Sequence, residues 1–463
     1  MKSCISLVIL SLLLAAPLVP SQEGAITKEM ISSFRQDLNG DKQAASVMNA
    51  VTRNDTGSLV LDRKALTGHD GHFTNKIKTG KVTNQRSSGR CWLFAGFNIM
   101  RPAVMKKLKV KNFEFSENFS FFWDKLEKAN LFLEGILQTR ARGLGDRTVE
   151  WLLGHPFPDG GQWCMVVDLM KKYGVVPVEV MPETRHTGAT RMVNRLVSRK
   201  LRMNAAVLRS MHAAGQPLEA MRARKVKMLS EVYRLLALHF GPPPTTFKWR
   251  YQTGDGKLSA LRSYTPVSFY KEVVGLDLSR YVCLYNCPSH EYGKPYCIQF
   301  DRDFFDRPDM TFINLDMEAL KSFTLKQILA GEPVWFGCDV GKEHFREKGI
   351  LKNGILDFES LLGVDLSMTK KERILYRDSI PTHAMVFMGV DLEDGKPVKW
   401  QVENSWGDKR GDKGYLVMYD KWFDEYLYSV IIDSKHLPND VLQILDQKPI
   451  ALPPWDPMYA MVR

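Results

Sequence analysis

In the stretch NQRSSGRCWLFAGF, residues 84–97, Cys91 stands between Arg90 and Trp92. Such a cysteine can be a small buried hydrophobe, half of a disulfide, a metal ligand or a nucleophile. A nucleophilic cysteine reacts as thiolate, and its pKa falls at a helix N-terminus beside an imidazolium. The run WLFAGFNIMRPAVMKKL that follows carries apolar residues at helical spacing, interrupted by Pro102, so a helix is expected to start at or near Cys91. The histidine must come from elsewhere. His383, in PTHAMVFMGVD, heads an apolar strand, whereas His155 lies in the loop-like LGHPFPDGG. A second strand, WQVENSWG, then brings Asn404 to a position from which its amide can fix the tautomer of His383, with Trp406 shielding that bond from water. Gln85 can aim its amide at the point faced by the Cys91 N–H, where an oxyanion would need donors. Paired glycines at Gly160 and Gly161 either let backbone approach a ligand or simply make a turn.

The elements that must position these groups are legible in outline. Helical patterns dominate the first half, including SENFSFFWDKLEKANLFLEGIL, for which Ser116 or Asn118 is a candidate N-cap. Between Arg185 and Phe240 a basic block contains Arg191, Arg195, Arg199, Lys200, Arg202, Arg209, Arg222, Arg224, Lys225, Lys227 and Arg234, and GPPP ends it. From about Val334, runs such as VWFGCDV, AMVFMGVDL and GYLVMYD predict strands of an antiparallel sheet. Helices first and strands last predict an α+β fold with a helical insertion.

The 463 residues, 44% hydrophobic and 25% charged, can bury a sizeable core. A net charge of +12 is compatible with polyanionic partners or with a merely solvated basic surface. The first residues, a lysine followed by an uncharged run from Ile5 to Ala16, predict a signal peptide over 1–21 and a mature protein outside the cytosol. Cys283, Cys287 and Cys297 cluster with His290, but their spacing is not the paired form of structural zinc sites, and free thiols are the default expectation.

Seven motifs occur in order: NQRSSGRCWLF (84–94), FFWDKLEKAN (121–130), DGGQW (159–163), VWFGCDV (334–340), THAM (382–385), ENSWG (403–407) and LPPWDPM (452–458). Together they resemble the bleomycin hydrolase and aminopeptidase C family of papain-like cysteine peptidases, from about residue 25 to the C-terminus. The resemblance implies a two-lobed papain-like core, enlarged by a helical domain and a hook-like oligomerisation element, assembled as a homohexamer. It implies catalytic Cys91, His383 and Asn404, an oxyanion donor at Gln85, and substrate contacts at Gly160, Gly161 and Trp406. It also implies a C-terminal arm lying in the cleft, restricting the enzyme to aminopeptidase action and offering its terminal carboxylate, here on Arg463, to the substrate amine. The ending YAMVR departs from the family's usual small residues. No metal or organic cofactor is expected.

The expected division is a signal peptide (1–21), an N-terminal arm and helical lobe with the nucleophile (22–184), a basic helical insertion (185–264), a hook and connecting segment (265–375), a β-rich lobe with His383 and Asn404 (376–440), and the cleft-bound arm (441–463). Peptides are the expected partners. The runner-up is a hexameric ring that binds polyanion or nucleic acid through the basic block with secondary peptidase activity, and an endopeptidase would result if the arm did not dock.

Overall fold

The computed structural model describes residues 24–459. The signal peptide expected over 1–21 and the terminal Arg463 lie outside them.

Cys91–Leu108 forms one helix, continuous through Pro102. Beside it runs Glu117–Gln138, whose N-terminus is capped by Ser116: its hydroxyl accepts the Phe119 N–H at 3.1 Å. The helix Trp163–Tyr173 packs so closely on the first that a side chain on Gly96 would come within 2.8 Å of Val166. The basic block forms two long helices, Arg191–Ala213 and Leu218–Phe240. Val193, Val197, Leu201, Ala205 and Leu208 lie on one stripe of the first and are buried, so an ordinary amphipathic face holds this insertion to the core.

A twelve-stranded sheet forms the other half. Its order across the main path is Ile450–Leu452, Lys294–Ile298, Thr311–Asn314, Tyr281–Tyr285, Leu427–Asp433, Val334–Cys338, His383–Glu393, Lys396–Glu403, Tyr415–Tyr419, Ile350–Leu351 and His344–Phe345, with Asn75–Lys76 also pairing to His383–Glu393. Two expectations are corrected here. Strands begin well before Val334, because six of the twelve come from the segment 265–375. Short, largely buried strands such as YVCLY and TFIN show no clear alternation by which a sequence could reveal them. The sheet is also mixed: Tyr281–Tyr285 with Thr311–Asn314, Lys294–Ile298 with Ile450–Leu452, and Tyr415–Tyr419 with Ile350–Leu351 pair in parallel.

The strand His383–Glu393 is buried on both faces over most of its length. Ala384, Val386 and Met388 join the core shared with the Cys91 helix, while Met385, Phe387 and Val390 join a second core beneath the helices Met317–Leu329 and Asp420–Tyr426. Packing on both sides leaves His383 little freedom to drift in position. The helix and the sheet are also tied by charge. Arg101, 1% exposed, donates to Glu403 Oε1 at 3.0 Å, to Asn98 Oδ1 at 3.0 Å and to the carbonyls of Phe113 and Lys81. Glu403 immediately precedes Asn404, and burial, partly opposed by Arg101, pushes its carboxyl up to about 7.

Removing one member of a buried, hydrogen-bonded ion pair strands the other. Arg101→Met should therefore lower the unfolding free energy by about 3–5 kcal/mol in urea titrations followed by circular dichroism. A loss under about 1 kcal/mol would show that the pair contributes little to holding helix and sheet together.

Candidate active site

The site lies where the N-terminus of the Cys91 helix meets the head of the His383 strand. Cys91 is the first residue of its helix and 1% exposed, so the helix dipole favours a negative charge on its sulfur. The Ala384 backbone N–H, next along from His383, points at that sulfur and favours the thiolate further. Cys91, His383, Gly161 and Gln162 line one narrow cleft, together with Trp92, Tyr285 and Trp335.

Asn404 follows the end of its strand, and its Oδ1 lies 2.8 Å from His383 Nε2. The Ser405 N–H donates to the same oxygen at 2.7 Å, which orients the amide. An oxygen facing Nε2 requires the proton there, leaving Nδ1 as the basic nitrogen. The Trp406 ring lies beside the imidazole, their centroids 4.8 Å apart.

Burial pushes the Cys91 thiol up to about 11 and the His383 imidazole down to about 4, the Asn404 bond opposing the latter. Neither group charges readily alone. Transfer of one proton from sulfur to ring charges both at once, leaves the net charge unchanged and places the anion at a helix N-terminus, where each new charge stabilises the other.

Gln85 is held more tightly than the sequence implied. Its Oε1 accepts the Ser405 hydroxyl at 2.6 Å and its Nε2 donates to Ser88 O at 2.6 Å, while its backbone N–H donates to Ser405 O. One amide hydrogen is thus committed inside the loop, leaving one to face outward. Gly161 packs flat on Trp92: a Cβ there would stand 2.6 Å from the indole. Gly160 receives Lys128 Nζ on its carbonyl at 2.6 Å. The arm reaches the cleft through its described residues. Ile450–Leu452 pairs with Lys294–Ile298, His290 Nε2 lies 3.2 Å from Asp456 Oδ1, and the Tyr285 hydroxyl in the cleft wall donates to Met458 O at 3.0 Å. The ring of Tyr459 approaches Trp151 at 5.8 Å. His290 is thereby a tail contact, and all six cysteines among the described residues are free thiols.

Sequence reasoning missed the groups that hold this arrangement. Asp159 accepts from Gly89 N–H at 3.1 Å, Thr190 Oγ1 at 2.5 Å and Asn194 Nδ2 at 2.7 Å, and pairs with Lys125 at 2.7 Å. Burial alone would raise this carboxyl, but the Lys125 ammonium and these hydrogen bonds overcome it and hold it well below the usual carboxylate range. Its backbone carbonyl also takes the Trp92 indole N–H at 2.9 Å. The Arg90 guanidinium, wholly buried, grips Glu183 through two bonds of 2.8 and 2.7 Å between the rings of Phe94 and Phe121. The partners are scattered along the chain, and no local pattern marks them.

Residues 25–459 match the Peptidase C1-like family. Aminopeptidase C of Streptococcus thermophilus is 40% identical over 437 residues, covering 94% of this chain and 98% of that protein. Human bleomycin hydrolase is 39% identical over 449 residues, again covering 94% and 98%. The crystal structure of PepW from Lactobacillus rhamnosis HN001 superimposes with a TM-score of 0.93 at 41% identity, over 95% of this chain and 100% of that one.

Without the imidazole, Cys91 is an isolated buried thiol. In His383→Ala, alkylation by iodoacetamide at pH 7 should fall about 100-fold or more, with the remaining rate climbing only at alkaline pH. An unchanged rate and a flat pH profile would show that His383 does not take the proton.

Proposed function

We infer that this chain, which belongs to the Peptidase C1-like family, is a cysteine-type aminopeptidase that removes N-terminal residues from peptides. The observation that carries this reading is the pairing of His383 Nε2 with Asn404 Oδ1 beside a cysteine at a helix start, in a cleft that its own C-terminal arm borders. In the mechanism proposed, the Cys91 sulfur gives its proton to His383 Nδ1 and attacks the carbonyl carbon of the substrate's N-terminal residue. The Cys91 N–H and the outward hydrogen of Gln85 hold the developing oxyanion. His383 then protonates the leaving amine, which departs with the rest of the peptide, and the thioester on Cys91 remains. A water deprotonated by His383 attacks that thioester, releasing the amino acid and restoring the thiol. Asn404 keeps the ring in the tautomer that both steps need. Gly161, which lines the cleft, offers backbone to the substrate, the Gly160 carbonyl being held by Lys128, and Trp406 keeps water from the His383–Asn404 contact.

Restriction to the N-terminus is assigned to the arm. The Tyr285–Met458 bond and the sheet pairing of Ile450–Leu452 support an arm held at the cleft rather than frayed. A homohexamer is the assembly proposed. The helix Lys28–Gly40, which buries none of its residues within the chain and exposes Met30, Ile31, Phe34 and Leu38, supports a surface covered by another copy. Export behind the leader of residues 1–21 is proposed on its sequence alone. Polyanion binding is the weaker reading, since Lys225 and Arg222 are paired to Glu134 and Lys200 to Glu231 in the basic helices.

The purified full chain should cleave a free-amine peptide amide at least about tenfold faster than its N-acetylated form. Equal rates would make the enzyme an endopeptidase with an open cleft. Cys91→Ala should keep its fold and lose hydrolysis of both, and hydrolysis that persisted would remove Cys91 as nucleophile.

A further inference from the structure

Beyond Gly160 and Gly161, on the flank of the cleft toward the arm, lies a second pocket whose walls include Phe132, Trp151, Phe300 and Tyr459. Gly161 and Gln162 line both this pocket and the Cys91 cleft, so the two adjoin across the glycine loop. Asp301 lies in this otherwise largely apolar wall. It is 1% exposed, and neither carboxylate oxygen has a hydrogen-bond partner among the described residues. The loop that presents it is braced through backbone: Asp301 N–H donates to Ile298 O and its carbonyl accepts from Met310 N–H, both at 3.0 Å. Phe300, at φ 66°, turns the chain just before it.

The neighbouring cations do not answer Asp301. Lys128 is bound to Asp124 at 2.8 Å and to Gly160 O, and Arg302 is paired with Asp309 at 2.9 Å. His155 turns Nδ1 to Trp151 O. Asp303, also buried and unpartnered, does not line this pocket. Asp159, the other carboxylate bordering the glycine loop, already has a full set of donors. A buried carboxyl with no donor is costly to the fold unless something arrives to satisfy it.

We propose that Asp301 is a cation subsite of this cleft, taking the positive group at a substrate's N-terminal end. That group is the α-ammonium or the side chain of an N-terminal lysine or arginine. The proposal rests on the aminopeptidase reading, which brings a free ammonium into this cleft with every substrate. Burial, with the charge of Asp309 adding to it, pushes the Asp301 carboxyl well above the usual range. Burial thus favours the neutral acid, and an entering cation favours its ionised form.

The test uses the full chain and the variants Asp301→Asn and Asp301→Leu with aminoacyl coumarylamides of arginine, lysine and leucine and with N-acetyl-arginine coumarylamide. If the pocket takes the side chain, Asp301→Asn should lose about tenfold or more in kcat/KM on arginine and lysine and stay within about twofold on leucine. If it takes the α-ammonium, all three free amines should fall by that factor while the acetylated substrate does not. Changes within about twofold on every substrate, or an equal fall that includes the acetylated one, would overturn the proposal. A wild-type enzyme inactive on all four would sink the aminopeptidase reading instead. The subsite is then read independently by the protection that L-argininamide and L-leucinamide give Cys91 against iodoacetamide. Protection by L-argininamide about tenfold weaker in Asp301→Asn supports the subsite, with L-leucinamide weakened alike only if the α-ammonium is the group bound, and equal protection by L-argininamide overturns it. Both variants should melt no lower than wild type, since they remove an unsatisfied buried acid. Loss of the fold in both would make Asp301 structural and end the proposal.

Discussion

Almost everything at this site hangs on the Asp159 carboxylate. Four donors from three separate stretches of chain converge on it: the Gly89 amide just before the nucleophile, Lys125 in the helix capped by Ser116, and Thr190 and Asn194 where the basic insertion begins. Its own carbonyl holds the Trp92 indole, on which Gly161 lies. One buried charge thereby sets the loop before Cys91, the wall of the cleft and the docking of the long helical insertion. Such a group must be fully satisfied, because a half-satisfied charge at this depth would destabilise more than an apolar replacement.

A second constraint is dryness. The sheet strand that carries His383 is covered on both faces, and the helix that carries Cys91 is buried nearly throughout its first half. Burial makes both groups reluctant to charge separately, yet it also strengthens their mutual attraction and that of the helix dipole once a proton has crossed between them. The same enclosure explains why orientation is enforced by neutral groups: Asn404, Ser405 and Gln85 form a chain of hydrogen bonds that fixes geometry without adding charge.

The legible parts of this molecule were those carried by local pattern. Cys91 before an apolar helical run, Ser116 before another, and His383 at the head of a strand followed by Asn404 all announce their elements, and the ordered motifs disclosed the family. What stayed hidden was non-local. The strands between Tyr281 and Asn314 are short and mostly buried, so they lack the clear alternation that betrays a strand. Asp159 reads as half of a turn, Arg90 as one more surface cation, and Asp301 as one acid among several in DRDFFDRPD. The roles of Asp159 and Arg90 come from partners tens of residues away, which no spacing rule can anticipate, and Asp301 is set apart only by its burial.

The pairing of Ile450–Leu452 with Lys294–Ile298 makes the end of the chain an edge strand of the main sheet. In the order of synthesis this strand follows the nucleophile, the histidine and every other strand of the sheet. Until then the Lys294–Ile298 edge stands unpaired, a surface that invites pairing with other chains. The pairing of Ile450–Leu452 therefore replaces a five-residue edge with a three-residue one and brings the residues that follow to the Tyr285 wall of the cleft. Loss of this strand would expose the longer edge and release the residues after it from the cleft wall.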